Sequence, residues 1–394
     1  MEHIGLVGLP NSGKTSLFNA LTGSNAQVAE HPFTTTETSI AIAHVPDHRL
    51  DALAGMSKSR KVVHAGVEVA DIAGLVKGAS SGEGLGNRFL AGIREVDALC
   101  IVLRAFNDPE IPGEPDPVEA LSILETELVI ADLTSLETQL QRRRKALKSK
   151  KQDNITEMEI EAMEEAYSLL SSGTPLYRSA THDPDTAAAA RAYRKELFLL
   201  TDKPVFCVVN IDEADIGQAA GSVATGLGSG ISESTGEAGD DARQGKPADP
   251  VARVRDALGG CGDVIGVCVS LEAEAAQLSA GERAEMLEGL GLGEGALAMA
   301  ARAAYSMLNR WTFFTTGDKE SRAWSFQAGS TAPECAGVIH SDLQRGFIRA
   351  EVIGWEELLE AGSWQAARQA GHMNLVGKDY QVLDGDVIEI RFNV

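Results

Sequence analysis

Along the first part of the chain, short unbroken apolar runs alternate with stretches of helical spacing. "IGLVG" is followed by "KTSLFNAL", and "GVEVADIAG" and "DALCIVLRAF" come before about residue 110. Unbroken apolar runs separated by helical stretches predict a mostly parallel sheet with crossover helices, an α/β architecture. "PVFCVVNIDE", from Pro204 to Glu213, is another such run, and it breaks at Asn210; "VIGVCVS" reads as one more buried strand. From about Pro117 the spacing changes. Leu121, Leu124, Leu128, Leu136 and Leu140 predict a long helix, and a second spans about Ile155 to Leu170 before Gly173 and Pro175 end it. A third, "TAAAARAYRKELFLL", returns the chain to the strand at Pro204.

A helix, "AMAARAAYSMLN", leads to a last segment with its own pattern. There "RAWSFQAG", "GFIRAEVI" and "YQVLDGDVIEIRFNV" read as strands, "WEELLEAGSWQAARQAG" as one or two helices, and "DGD" as a turn. The patterns therefore divide the chain into an α/β domain over 1–115, a helical, coiled-coil-like insert over 116–200, the rest of the α/β domain over 201–309, and a small α+β module over 310–394. Gly217 to Pro250 stands apart: Gly, Ser, Ala and acidic residues dominate, with Val223, Leu227 and Ile231 as the sizeable apolar residues. Such a composition does not offset its ordering entropy, which predicts a disordered surface loop.

Composition narrows the partners. Of 394 residues 44% are apolar and 23% charged, as in a globular protein, and the formal net charge is −22. That charge argues against broad adhesion to nucleic acid or anionic lipid, so neither DNA nor a membrane is expected as a partner. The basic run "RRRKALKSKK", Arg142 to Lys151, has the opposite sign; it reads either as a solvated helix end or as a local phosphate contact. Five scattered cysteines without a CxxC pair fit a reduced compartment rather than a zinc site, with Cys100 and Cys207 as buried small hydrophobes. Met1 runs straight into a strand-like segment with no basic n-region, and no apolar run has membrane-spanning length. A cytoplasmic monomer is the expectation.

The chemistry begins at "GLPNSGKTSLF", where Gly8, four residues and Gly13-Lys14-Thr15 lie between a strand and a helix. This is a phosphate loop, so the domain reads as a P-loop NTPase or G domain: backbone N–H groups from Asn11 and Ser12 through Gly13 to Ser16 cradle phosphate oxygens. Lys14 reaches the β- and γ-phosphates and the Thr15 hydroxyl takes a place on Mg²⁺. Asn11 is also a candidate ligand for a monovalent cation, K⁺. In "DIAG", Asp71 ends a strand and can hold Mg²⁺ through a water, while the Gly74 N–H can reach a γ-phosphate. Between the two, "HPFTTTE" offers Thr34, Thr35 and Thr36 as further Mg²⁺ ligands, and spacing does not choose among them. Leu75 stands where many switch GTPases carry the Gln that orients water, and a leucine neither donates nor accepts a hydrogen bond. "SSGEGLGN" lacks the preceding strand of a dinucleotide fingerprint and reads as a switch loop. For the base, Asn210 supplies an amide, Ile211 an apolar surface, and Ser270 with its neighbours a backbone wall. Glu213 stands three residues after Asn210, where a guanine-reading protein carries Asp. Its longer side chain is out of register for guanine's two donors, which predicts ATP over GTP.

With these motifs in order, the chain resembles the YchF or Obg-like ATPases, relatives of the Obg GTPases, over nearly its whole length. "GLPNSGKTSLFNALT" looks like the family's phosphate loop and "PFTTTE" its first switch, which selects Thr35 as the Mg²⁺ ligand. "DIAGLVKGASSGEGLGNRFLAGIREVDA" is similar to its second switch, and "NIDE" to its NxxE. "AGSTAPECAGVIHSDLQRGFIRAEVI" with "LDGDVIEIRFNV" resembles its C-terminal TGS module, a β-grasp fold. The resemblance implies a Mg²⁺-dependent ATP-hydrolysing switch associated with ribosomes, with Lys14, Thr35 and Gly74 at the catalytic centre. It further implies a groove between helical insert and TGS module that could hold RNA. Two features depart from it. "RAFNDPEIPGEPDP" is shorter than the family's loop and lacks its His, and Gly217 to Pro250 looks like an insertion. An Obg-type GTPase and a nucleotide-gated binding module with negligible turnover are the alternatives; Leu75 and the absent His favour the second.

Overall fold

The computed structural model describes residues 3–23, 39–72, 85–149, 157–181, 194–216, 249–290, 292 and 295–393. Its strands are β1 (His3–Val7), β2 (Ser39–Val45), β3 (Val62–Val63), β4 (Ala65–Asp71), β5 (Ala98–Arg104), β6 (Val205–Asn210), β7 (Val264–Val267), β8 (Arg310–Thr315), β9 (Ser321–Gln327), β10 (Phe347–Gly354), β11 (Asn374–Val376) and β12 (Asp386–Phe392). They form two sheets, in the orders β2-β4-β1-β5-β6-β7 and β11-β10-β12-β8-β9-β3.

In the first sheet β1, β5, β6 and β7 run parallel, with Val7 opposite Ile101, Cys100 opposite Phe206 and Asn210 opposite Val267. The carboxyl ends of these strands therefore lie along one edge, where open α/β sheets meet their ligands. Every residue of β6 is buried, as are all of β5 except Arg104, which is why these strands read as unbroken apolar runs. Helices α1 (Lys14–Thr22), α2 (His48–Ser57) and α3 (Leu85–Glu95) follow β1, β2 and β4.

The predicted leucine-spaced helix is α4 (Pro117–Ser149), and it pairs with α5 (Glu157–Ser171). Leu136 and Leu140 of α4 meet Met163, Ala166 and Leu170 of α5 in their own apolar cluster. Gly173, at φ 82°, lies just past the end of α5. Asp132 on α4 is buried, and its carboxylate accepts from Leu200 N, Thr201 N and Thr201 Oγ1 at 2.9, 2.8 and 2.7 Å. Three donors offset much of the cost of burying that charge. Most of the third predicted helix lies outside the described residues. Its described end is a 3₁₀ turn, Lys195–Leu197, followed by Phe198 in the left-handed region.

Beyond β6, residues 217–248 of the predicted loop lie outside the described residues, but its last residue belongs to a helix. Asp249 accepts from Val251 N and caps α6 (Pro250–Leu258), which opens on the proline as helices favour. "VIGVCVS" also differs: the strand ends at Val267, and α7 (Val269–Ala275) begins two residues later. Four residues already match the end of β6, and the chain then turns toward Asn210. Helices α8 (Ala280–Gly289) and α9 (Ala296–Met307) lead out of this region.

The chain divides into two compact units, Glu2–Ala41 with Val69–Ala300, and Ile42–Glu68 with Ala301–Val394. The second contains α10 (Ala332–Ile339), α11 (Ser341–Arg345), α12 (Trp355–Ala361) and α13 (Trp364–Ala370), and a core around Phe313, Phe326, Val352 and Ile388. The hydrophobic pattern assigned 42–68 to the α/β domain and began the last module at 310. In the structure α2 and β3 pack with that module, because β3 pairs in parallel with β9 at Ser321 and Arg322. No helix of the described residues is long and apolar enough to cross a membrane.

Candidate nucleotide-binding site

The loop after β1 is held tight by its glycines. A Cβ on Gly8 would come within 2.5 Å of Val102 O and 2.7 Å of Ser12 Oγ. Gly13 sits at φ 92°, and a Cβ there would fall 2.3 Å from Asn210 Nδ2. Neither position admits a side chain. Asn11 takes φ 62° and is exposed, so the loop turns outward there before Gly13 begins α1. Ser12 is 2% exposed, and its Oγ has no hydrogen-bond partner among the described residues.

Lys14 is buried, and its Nζ donates to the carbonyls of Gly8 and Leu9 at 3.1 and 3.0 Å. Burial pushes the lysine's pKa down, opposed by the nearby charge of Asp71. The ammonium is therefore poorly solvated, the condition under which an added anionic oxygen is most strongly attracted. Thr15 Oγ1 donates to Asp71 Oδ2 at 2.7 Å, so the first turn of α1 and the end of β4 meet through a hydroxyl and a carboxylate. Ser16 is exposed on the same turn. Thr34, Thr35, Thr36, Gly74 and Leu75 lie outside the described residues.

Asn210 brings three segments together. Its Nδ2 donates to Ser12 O at 3.2 Å, and its Oδ1 accepts from Val269 N at 3.2 Å. The side chain is 6% exposed, and one N–H and one lone pair remain for a further contact. Ile211 is 3% exposed and packs in the core of the sheet. Asp212 Oδ2 accepts from Asn107 N and Nδ2 at 3.1 and 3.3 Å, which anchors the loop after β5. Glu213 begins a 3₁₀ turn and is exposed. Ser270 lies in the first turn of α7 with its Oγ 3.3 Å from Cys268 Sγ. The edge of the sheet thus gathers the phosphate loop, Asp71, Asn210 and the start of α7. The Asp212–Asn107 tie was not foreseen: a polar residue at a strand's carboxyl end was its signal, but nothing in the spacing named its partner.

Magnesium prefers hard oxygen donors and takes only one or two carboxylates from the protein when substrate phosphates supply the rest. The Thr15 hydroxyl and Asp71 carboxylate, already adjacent, fit that donor set. Cys100 and Cys207 are buried in β5 and β6, and burial raises both thiol pKa values, so they serve as inert apolar residues.

The basic run is partly neutralised on its own hairpin. Arg144 pairs with Glu164 at 2.6 Å and Arg143 with Glu159 at 3.7 Å, while Arg142 is exposed. A shallow cavity of about 330 Å³ opens beside Arg144, between Leu140 and Tyr167.

Known proteins resemble this chain from end to end. Residues 3–156 match the family described as 50S ribosome-binding GTPase, and residues 311–393 match the YchF-GTPase_C family, described as a protein of unknown function. The "Ribosome-binding ATPase YchF" of Bacillus subtilis is 41% identical over 395 residues, covering 99% of each chain. Its namesakes in Haemophilus influenzae and Escherichia coli O157:H7 are 40% and 38% identical over 394 residues, again with 99% of each chain covered. A solved structure, that of the Schizosaccharomyces pombe YchF GTPase, superposes with a TM-score of 0.77 at 31% identity, over 99% of this chain and 97% of that one. The names of these relatives divide between ATPase and GTPase. With a phosphate-loop domain of mostly parallel sheet and a C-terminal α+β module matched over their whole length, the chain belongs to the YchF family of P-loop nucleotide hydrolases.

Proposed function

We propose that this protein is a Mg²⁺-dependent ATPase, with GTP as a lesser substrate, whose nucleotide state controls binding to the ribosome. The observation that carries the hydrolase reading is the convergence of buried Lys14 with the Thr15–Asp71 pair at the end of the sheet. Lys14 meets phosphate charge from a site of low solvation. The loop amides from Asn11 to Ser16 hold the phosphate oxygens and fix their orientation, and Gly8 and Gly13 let the backbone approach closely. Thr15 directly, and Asp71 through a water, would hold Mg²⁺, which neutralises charge on the phosphates. Thr35 and Gly74 complete the catalytic group in this reading. Asn210 joins the phosphate loop to the start of α7 and keeps one N–H for the base, with Ile211 and Ser270 beside it. Asn11 carries a further proposal, a K⁺ site that raises turnover over Na⁺ at equal ionic strength.

Ribosome binding is supported by the relatives' names and by the exposed part of the basic run on α4. Phosphate release from ATP and from GTP, each with and without ribosomes, tests the reading. Negligible ATP turnover in both conditions would leave a nucleotide-gated binding module instead, the reading that Leu75 favours.

A further inference from the structure

The chain between the two candidate switches is built into the C-terminal unit. β2 begins at Ser39, just after the switch threonines, and β4 ends at Asp71, just before Gly74. Between them, 42–68 groups with 301–394 in one compact unit, while its first and last residues belong to β2 and β4 of the first sheet.

The attachment is dense and specific. Ser321 N donates to Lys61 O at 2.9 Å beside the β3–β9 pairing, and Arg60 N donates to Asp318 O at 3.1 Å. Ser59 Oγ donates to Gly317 O at 2.6 Å, and Thr316 Oγ1 lies 2.7 Å from Ser57 Oγ and 2.6 Å from the fully buried Ser321 Oγ. Leu50 and Leu53 on α2 are fully buried. At the other end of α2 the Arg49 guanidinium binds Asp47 and also donates to Asp384 Oδ2 at 2.6 Å, with its Cζ 5.2 Å from the centre of the Phe314 ring. Asp384 Oδ1 accepts from Thr312 N at 2.8 Å, so one carboxylate holds α2 and the start of β8 together. The aspartate is the first residue of "DGD", whose turn the pattern singled out without a further role.

We propose that 42–68 is a mechanical relay, with the Arg49–Asp384 pair as its latch, through which the nucleotide's state is read by the C-terminal module. The inference rests on the nucleotide reading above. A nucleotide that moves Asp71 pulls on one covalent end of a segment that groups with the C-terminal unit. Coupling of this kind requires one element whose equilibrium both sites bias, and in this proposal the shared segment is that element. Linkage then makes the effect reciprocal: whatever binds the C-terminal module changes nucleotide affinity by the same factor.

Hydrogen exchange on the full chain, with Mg²⁺ and without nucleotide, with ADP, or with a non-hydrolysable ATP analogue, tests this. Backbone amides of β8 and β9 are expected to change in exchange rate by about fivefold or more between nucleotide states, the low end of typical coupling factors. In Arg49→Met and Asp384→Asn that difference should collapse, while analogue affinity by titration calorimetry stays within about threefold of wild type, as for a contact outside the binding site. Calorimetric binding without any change in 310–327 of the wild type overturns the relay and leaves the nucleotide reading intact. An unchanged nucleotide response in both variants removes the latch. Failure of the wild type to bind either nucleotide overturns the reading beneath both, and the wild-type measurement needs no variant to fold.

Discussion

The Thr15 hydroxyl donates a 2.7 Å hydrogen bond to Asp71 Oδ2, tying the first helix of the phosphate loop to the end of β4. Both residues lie beside Lys14, whose pKa is lowered by burial and raised in part by the Asp71 charge. The three groups form one electrostatic unit, and they should fail in different ways when changed singly.

Lys14→Ala removes the cation and is expected to lower phosphate release by about 10²–10³-fold, the usual effect of losing one preorganised charge-stabilising donor. Near-normal turnover by a folded Lys14→Ala protein would end the enzyme reading. Asp71→Asn keeps an acceptor for Thr15 but loses the negative charge. The Mg²⁺ concentration for half-maximal activity should rise about tenfold, equivalent to roughly 1.4 kcal/mol. A Mg²⁺ titration of the two proteins side by side checks this.

Glu272 predicts a pH dependence of stability. It is 1% exposed and accepts from Ala296 N at the start of α9, and burial raises its pKa above the ordinary 4.5 against the opposing effects of that bond, Arg283 and Leu297. A raised acid pKa means that the folded state holds the proton more tightly than the unfolded state. Its contribution to stability is thus fully present below the unfolded pKa and is lost as pH rises through the folded one. Glu272→Gln lacks this titration. The Tm of the variant minus that of the wild type should therefore become more positive as pH rises from about 4.5 to about 8. A difference that is flat or falls with pH contradicts the assignment.

The basic run yields a ranked expectation. Arg144 and Arg143 already face Glu164 and Glu159, whereas Arg142 and Lys145 are exposed. Arg142→Ala with Lys145→Ala should weaken ribosome co-sedimentation and flatten its salt dependence, since each lost phosphate contact lowers the slope by about one. Arg144→Ala should change it less and cost the hairpin at most about 1 kcal/mol, as for exposed ion pairs. ATP affinity should be unchanged in both. If co-sedimentation at physiological salt survives the double change, the run is a solvated helix end.

The strands that position the site were legible because both faces of β5 and β6 are buried, leaving unbroken apolar runs with turn signals at each end. The phosphate loop was legible because steric demands at Gly8 and Gly13 and the charge of Lys14 leave little freedom in residue type. β2 was passed over because its buried face is carried by Ala41, Ala43 and Val45 while Ile42 is 43% exposed, so its apolar alternation is nearly inverted. The span holding α2 and β3 was read with the rest of the α/β domain for a different reason. Their partners, Asp384, Ser321 and Phe314, lie far along the chain, and local periodicity carries no information about contacts at that separation. Asn210 was read as a base contact, yet its firmest bonds are to Ser12 and Val269, both invisible to spacing.

Glu213 is where the choice of purine can be tested. An Asp three residues after Asn210 would accept from guanine N1–H and its 2-amino group together, and adenine offers neither donor at those positions. Asp212 does not take this role, because its carboxylate is already bonded to the Asn107 backbone and side chain. Glu213, exposed at the start of its 3₁₀ turn, carries its carboxylate one carbon further than Asp would. Losing that charge-assisted pair costs GTP roughly 1.5–3 kcal/mol per bond, while ATP loses nothing. ATP should bind at least about tenfold more tightly than GTP, a difference of 1.4 kcal/mol. Glu213→Asp should narrow that ratio by strengthening GTP binding and leave the Kd for ATP nearly unchanged. Titration calorimetry of both nucleotides on both proteins, in Mg²⁺, gives the four constants. Equal affinities in the wild type, or a ratio that Glu213→Asp does not move, would mean that the glutamate faces solvent and does not select the base.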